Sequence, residues 1–152
     1  MPVLGDRARL RAAAAAGCLH AAFSAYWALG GTWLLDTVGQ WAVRLATEAP
    51  GRAGLALGAV TVVKLLAALL PLAWSAGRLR PAPAWRRLLA VGGWALAAYG
   101  GLNVLVSWAV LSGVLETHGD FDRTAQLGHA ALWDPLFLVW GLCLATGVRR
   151  SA

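Results

Sequence analysis

His20, Lys64, Tyr99, Asn103 and Asp134 each stand inside a long apolar stretch of this 152-residue chain, where a polar or ionisable group is costly and needs a partner. Together they offer an imidazole, a cation, a phenol, an amide and a carboxylate. That set suits an internal ion pair, a polar ligand site or a proton path. Lys64 is the most informative of them. A lysine at the centre of a membrane span costs about 2.5–3.5 kcal/mol on insertion scales. Its side chain reaches about 6 Å, against a hydrocarbon half-thickness near 15 Å, so snorkelling to an edge is hard. Helical side chains lean toward the N-terminus of their helix. In a span entering from outside, Lys64 therefore leans outward, toward the level of Asp134. The two are expected to approach each other, directly or through water or Asn103.

Helical spacing groups these residues into stripes. His20, Ser24, Trp27 and Gly31 share one face, Tyr99, Asn103 and Ser107 another, and Lys64 lies in line with Thr61 and Ala68. Stripes of this kind turn toward a common interior. The expected ligand-binding set is His20, Trp27, Lys64, Tyr99, Asn103 and Asp134, with no catalytic residue, cofactor or metal assigned. Structural glue is the plainest role for such residues, and the expected function is that of a non-enzymatic accessory or lipophilic-ligand-binding bundle with a polar interior. Transport or proton conduction through His20, Lys64 and Asp134 is an alternative, and a membrane enzyme with His20 as base is a second. Haem ligation by two histidines is excluded on depth, because His129 falls near the opposite surface from His20 and His118 outside. The second "HAA", at His129, has surroundings unlike those of His20 and is taken as chance. In "ETHGDFDRTAQ", His118, Asp120 and Asp122 alternate as divalent-metal ligands sometimes do, but a short acidic loop is ordinarily just solvated.

The elements that position these residues follow from composition. The chain is 59% hydrophobic and 13% charged, against about 25% charged in soluble domains. Residues 12–35 and 88–115 carry no Asp, Glu, Lys or Arg, residues 53–77 carry only Lys64, and residues 124–148 carry only Asp134. Each window exceeds the roughly 20 residues of a membrane-crossing helix. The expected fold is an all-α integral membrane four-helix bundle, one domain over 1–152, with spans about 12–35, 53–75, 88–112 and 128–148. Val38, Trp41, Ala42 and Leu45 recur at helical spacing and predict a short outer-surface helix about 37–47.

Arginines cluster at 7–11, 78–87 and 149–150, while the other two connections are richer in acid. Both termini are therefore expected in the cytoplasm, at the inner membrane. The net charge of +6 reads as topology and contact with anionic lipid at the cytoplasmic face, not as nucleic-acid binding. A lipophilic small molecule is the other expected partner, and the composition admits a homo-oligomer or a larger membrane complex. "AAGC" imitates a lipoprotein cleavage site, but six residues between Arg11 and Cys18 are too few for the apolar core of a signal. Cys18 and Cys143 form no C-x-x-C and are expected to be packing residues, which excludes a thiol oxidoreductase. Gly54–Gly58 and Gly93–Ala97–Gly101 are small-residue ridges for close helix packing. In "LWDPLFLVWG", a helix starting at Asp134 would be about 21 Å long, too short to cross. The last span is therefore expected to begin near Gly128, with a kink at Pro135.

"HAAFSAYWALGG" and "FDRTAQLGHAALWDPLFLVWG" carry a resemblance. Through His20, Tyr26, Trp27, Gly30, Gly31, Asp122, Trp133, Pro135 and Leu136 the chain resembles a group of small four-span membrane proteins, common in actinobacteria and catalogued as a domain of unknown function. The likeness covers both end spans and less of the middle, and it implies a fold without implying an activity. Asp134 stands where that group has a small polar residue.

Overall fold

The computed structural model describes residues 4–79, 82–116 and 121–150, and the protein is all-α. Helix α1 (Leu4–Ala28) is alanine-rich and stops at a glycine. Gly30 takes φ +91°, its N–H bonds Trp27 O at 3.0 Å, and Gly31 N–H bonds Tyr26 O at 2.9 Å. These bonds satisfy carbonyls that the helix end leaves free. The helix therefore begins earlier than expected and ends at Ala28 rather than Leu35. Residues 29–39 fold back through a 3₁₀ turn (Asp36–Val38), and Leu35 is buried beneath it.

The short helix α2 (Gln40–Glu48) is present where its periodicity predicts it. Its inner face differs from the expected one. Ala42 is buried and Val43 and Ala46 pack with it, whereas Trp41 and Leu45 are exposed. Small residues let α2 lie close to the bundle, and the bulky ones are left pointing away. Helices α3 (Pro50–Ser75) and α4 (Pro83–Leu111) each open on a proline in the first turn, where a missing N–H costs nothing. The last element is α5 (Arg123–Gly128), a π-helical turn (His129–Trp133) and α6 (Asp134–Arg150). Asp122 caps α5 by accepting the Ala125 N–H at 3.0 Å. The final helix thus starts well before Asp134, as its length requires. Where a kink is expected at Pro135, the irregular backbone is the π turn just before it, one of the recognised ways to break the regular hydrogen-bond ladder.

Among the described residues three stretches are long and apolar enough to cross a membrane: Pro50–Ser75, Pro83–Leu111 and Arg123–Val148. Helix α1 does not reach that measure; its first turns hold Asp6, Arg7, Arg9 and Arg11, and His20, Ser24, Tyr26 and Trp27 lower the hydropathy of the rest. Helices α3, α1, α6 and α4 pack in that order, with α3 and α4 on opposite flanks and without extended contact between them. Neighbours run antiparallel: Gly17 lies at Ala68 and Gly54 at Ala28, while Gly93 lies at Ala145 and Gly100 at Leu138.

Close approach is concentrated at α4–α6. A Cβ on Gly141 would collide with the backbone of Ala97 and Gly93, and one on Gly100 with the backbone of Asp134 and Leu138. The expected ridges shift accordingly. Gly58 has open space, and Gly100 rather than Gly101 makes the close contact. Gly141→Ala is expected to lower stability by about 1–3 kcal/mol through overpacking. Gly58→Ala should leave it unchanged or raise it by up to about 1 kcal/mol through helix propensity. Thermal melts followed by circular dichroism in detergent distinguish the two.

Candidate functional site

Two apolar clusters bracket the middle of the bundle. Leu10, Ala13, Ala16, Ala68, Trp140, Leu144 and Val148 pack near one end, and Trp27, Leu35, Ala42 and Trp133 near the other. Between them lies the polar centre. Lys64 Nζ on α3 meets His20 Nδ1 at 2.9 Å and Ser24 Oγ at 2.8 Å on α1. His20 and Ser24 are one helical turn apart, so both point at the same amine. Ser24 in turn donates to His20 O at 3.3 Å. An ammonium only donates, so Nδ1 accepts and the neutral ring carries its hydrogen on Nε2. That nitrogen is buried and has no partner.

Phe137 of α6 floors this centre. Its ring lies 4.0 Å from the His20 ring, Lys64 Nζ stands 5.7 Å from its centroid, and Tyr99 of α4 meets it edge-on at 5.8 Å. A cation over an aromatic face is attracted by the ring quadrupole. Phe137 is therefore touched from both flanking helices, α3 and α4, which make no extended contact with each other.

Asp134 is not the partner of Lys64. It is fully buried, and its Oδ2 lies 2.9 Å from His129 Nδ1. His129 Nε2 sits 3.3 Å from Val38 O. Both ring nitrogens face acceptors, a geometry satisfied in full when each carries a hydrogen and the ring pairs with the carboxylate as an ion. The expected Lys64–Asp134 pair fails for a geometric reason. In a π turn the residue five positions back comes overhead, so His129 reaches Asp134 first. Asp134 backbone also abuts Gly100 of α4, on the far side of α6 from α3.

The remaining predicted residues are placed as follows. Trp27 is buried, donates Nε1 to Trp33 O at 2.9 Å and meets Trp133 edge-on at 5.2 Å. Trp133 connects it to His20 at 5.6 Å. Tyr99 is 55% exposed, so it lines the flank rather than the interior. Asn103 is half-buried and is not a bridge between Lys64 and Asp134. His118 and Asp120 lie outside the described residues, and among those described no group of three metal-binding side chains occurs. Both cysteines are free. His129, Ser24 and Phe137 are the site residues that were not anticipated as such. The spacing of His129 five residues before an aspartate, with proline following, is the signal that could have found the first.

The fold and its buried polar centre define a small all-α protein with helices suited to a membrane. The chain belongs to a family described as proteins of unknown function, DUF3995, whose model matches residues 17–144. No curated protein and no solved structure matches it. The matched region contains the Lys64 centre and the His129–Asp134 pair.

Removing Lys64 and His20 together is expected to cost less than the sum of the single losses, by about 0.5–3 kcal/mol, because each replacement removes the same contact. Lys64→Met with Asp134→Asn should instead be additive within about 0.5 kcal/mol. Unfolding of the two variant sets in detergent measures both. His129→Ala leaves the Asp134 carboxylate buried without its partner and should cost about 3–5 kcal/mol. Asp134→Asn in the same background should restore part of that loss, read in the same unfolding assay.

Proposed function

We propose that this chain is an actinobacterial inner-membrane protein that crosses four times, with both termini cytoplasmic. Its role on this reading is non-enzymatic: it binds a lipophilic ligand whose head group accepts hydrogen bonds. Helix α1, at 25 residues and about 1.5 Å per residue, is long enough to cross. It is flanked by α3 and α6 along its length; α3 and the stretch Arg123–Val148, which holds most of α6, are long and apolar enough to span. The arginine-rich connection at 76–82 and the basic N-terminal turn support the orientation.

One observation carries the ligand reading: the Lys64 amine is met only by neutral acceptors, and the buried His20 Nε2 beside it has no partner among the described residues. Lys64 is held only by the neutral acceptors His20 Nδ1 and Ser24 Oγ. The nearby carboxylate on α6 turns one oxygen to His129; its other oxygen and His20 Nε2 have no partner among the described residues. A carboxylate or carbonyl head entering between α3 and α4 would meet the Lys64 amine above Phe137, and its tail would lie against their exposed apolar side chains. Proton conduction is the second reading. It draws on an outer cavity of about 590 Å³ where His129, Asp122, Arg44 and Gln126 converge. The two polar pairs share no hydrogen bond, so ligand binding is preferred.

Oleate titrated into the protein in nanodiscs should change tryptophan fluorescence saturably, and oleylamine, with the same tail and a cationic head, should not. Lys64→Met should weaken oleate binding by roughly 10- to 100-fold, the worth of a charge-assisted hydrogen bond. Equal response to the two amphiphiles, or an unaffected Lys64→Met variant, overturns the reading.

A further inference from the structure

At the other end of the bundle, where α4 begins and α6 ends, a cavity of about 590 Å³ opens between the two helices. Its mouth holds Arg86 and Arg87, its wall Ala90, Val91 and Trp94, and its far side Val148. No acid lines it. Asp6, the acid of the adjoining helix end, is buried and paired with Arg9 at 3.4 Å. Arg86 gives one long bond, 3.5 Å, to the Val148 carbonyl. Arg87 is exposed and has no partner among the described residues. Two guanidiniums thus stand at the rim with most of their donors unspent.

Helical spacing explains why charge and apolar wall belong to one site. Arg87, Val91 and Trp94 follow at i, i+4 and i+7, and Arg86, Ala90 and Trp94 at i, i+4 and i+8, so they lie along one stripe of α4. From Arg87 to Trp94 the stripe runs about 10 Å, some two-thirds of a leaflet near 15 Å thick. A soluble anion would use the arginines and leave the wall bare; an uncharged lipid would use the wall and leave the arginines unmet. Charge and shape agree on one molecule that has both parts.

We propose that this cavity is a binding site for an anionic phospholipid, with its phosphate held between Arg86 and Arg87 and one acyl chain against Val91 and Trp94. Arginine suits the phosphate because its planar fork matches two oxygens at once. This site is separate from the Lys64 centre, from which the inner apolar cluster divides it, and it does not depend on what that centre binds.

Native mass spectrometry of protein released from nanodiscs with equal dioleoyl-phosphatidylglycerol and dioleoyl-phosphatidylcholine tests it. The protein should retain phosphatidylglycerol in preference. Arg86→Gln with Arg87→Gln should reduce that preference roughly tenfold or more, as expected for two charges near a lipid surface. Val91→Trp, which fills the apolar wall, should reduce retention with both arginines present. Arg78→Gln should leave it unchanged, and the arginine variants should keep the oleate response of the Lys64 centre, so a failure here is distinct from a failure at Lys64. Should the double variant not fold, Arg87→Gln alone decides, since that side chain is exposed and unpaired. Equal retention of the two lipids, undiminished retention in the arginine or Val91→Trp variants, or displacement by millimolar inorganic phosphate would each overturn the proposal.

Discussion

A half-buried amine on α3 governs how the middle of this protein is built. Lys64 must find acceptors within a few ångströms, and the helix it packs against supplies them with His20 and Ser24. That demand fixes which face of α1 turns to α3 and at what height the two helices meet. The same height sets Gly17 beside Ala68 and Trp140, one turn further along, where any larger residue would push the helices apart. Below the amine, Phe137 supplies a ring face instead of a countercharge. The cation is thus stabilised by dipoles and a quadrupole, which leaves its charge uncompensated.

The carboxylate that might have neutralised it is engaged elsewhere, and the cause is local. Pro135 cannot donate to the helix ladder, and the turn before it is π-helical. That turn rotates His129 over Asp134, and His129 then reaches Val38 O in the segment that folds back after α1. Trp133, in the same turn, donates to Thr37 Oγ1 at 3.0 Å, and Gly128 lies against Thr37 so closely that no Cβ would fit. One irregular turn therefore pairs a buried acid and fastens the folded-back segment to the last helix.

The helices pack as an open row, and the openness matters for function. Helices α1 and α6 are enclosed by their neighbours, whereas α3 and α4 turn most of their apolar side chains outward, with only 11% and 17% of their most apolar windows buried. Such a row presents a polar centre sideways, between two flanks without extended contact. Tyr99 belongs to that flank. A closed bundle would have placed it inside.

The sequence by itself determined that the helices exist, but not all of their limits. Apolar length and segregated charge mark α3, α4 and the last span, whereas α1 stops at Gly30, short of Leu35, and α3 and α4 open at Pro50 and Pro83, ahead of their apolar windows. It also determined that His20, Lys64 and Asp134 carry unusual burial costs, because type and depth are readable along one chain. What only the tertiary structure decided is which of them meet. Depth gives the height of a side chain but not its direction around the bundle, and the order α3, α1, α6, α4 turns Lys64 toward His20 and away from Asp134. The glycines divide in the same way: Gly141 and Gly58 look alike in sequence, and only the neighbouring backbone makes one indispensable. The π turn changed the register by a residue where a regular helical wheel assumed none, and with it the partner of the one buried acid in the last span.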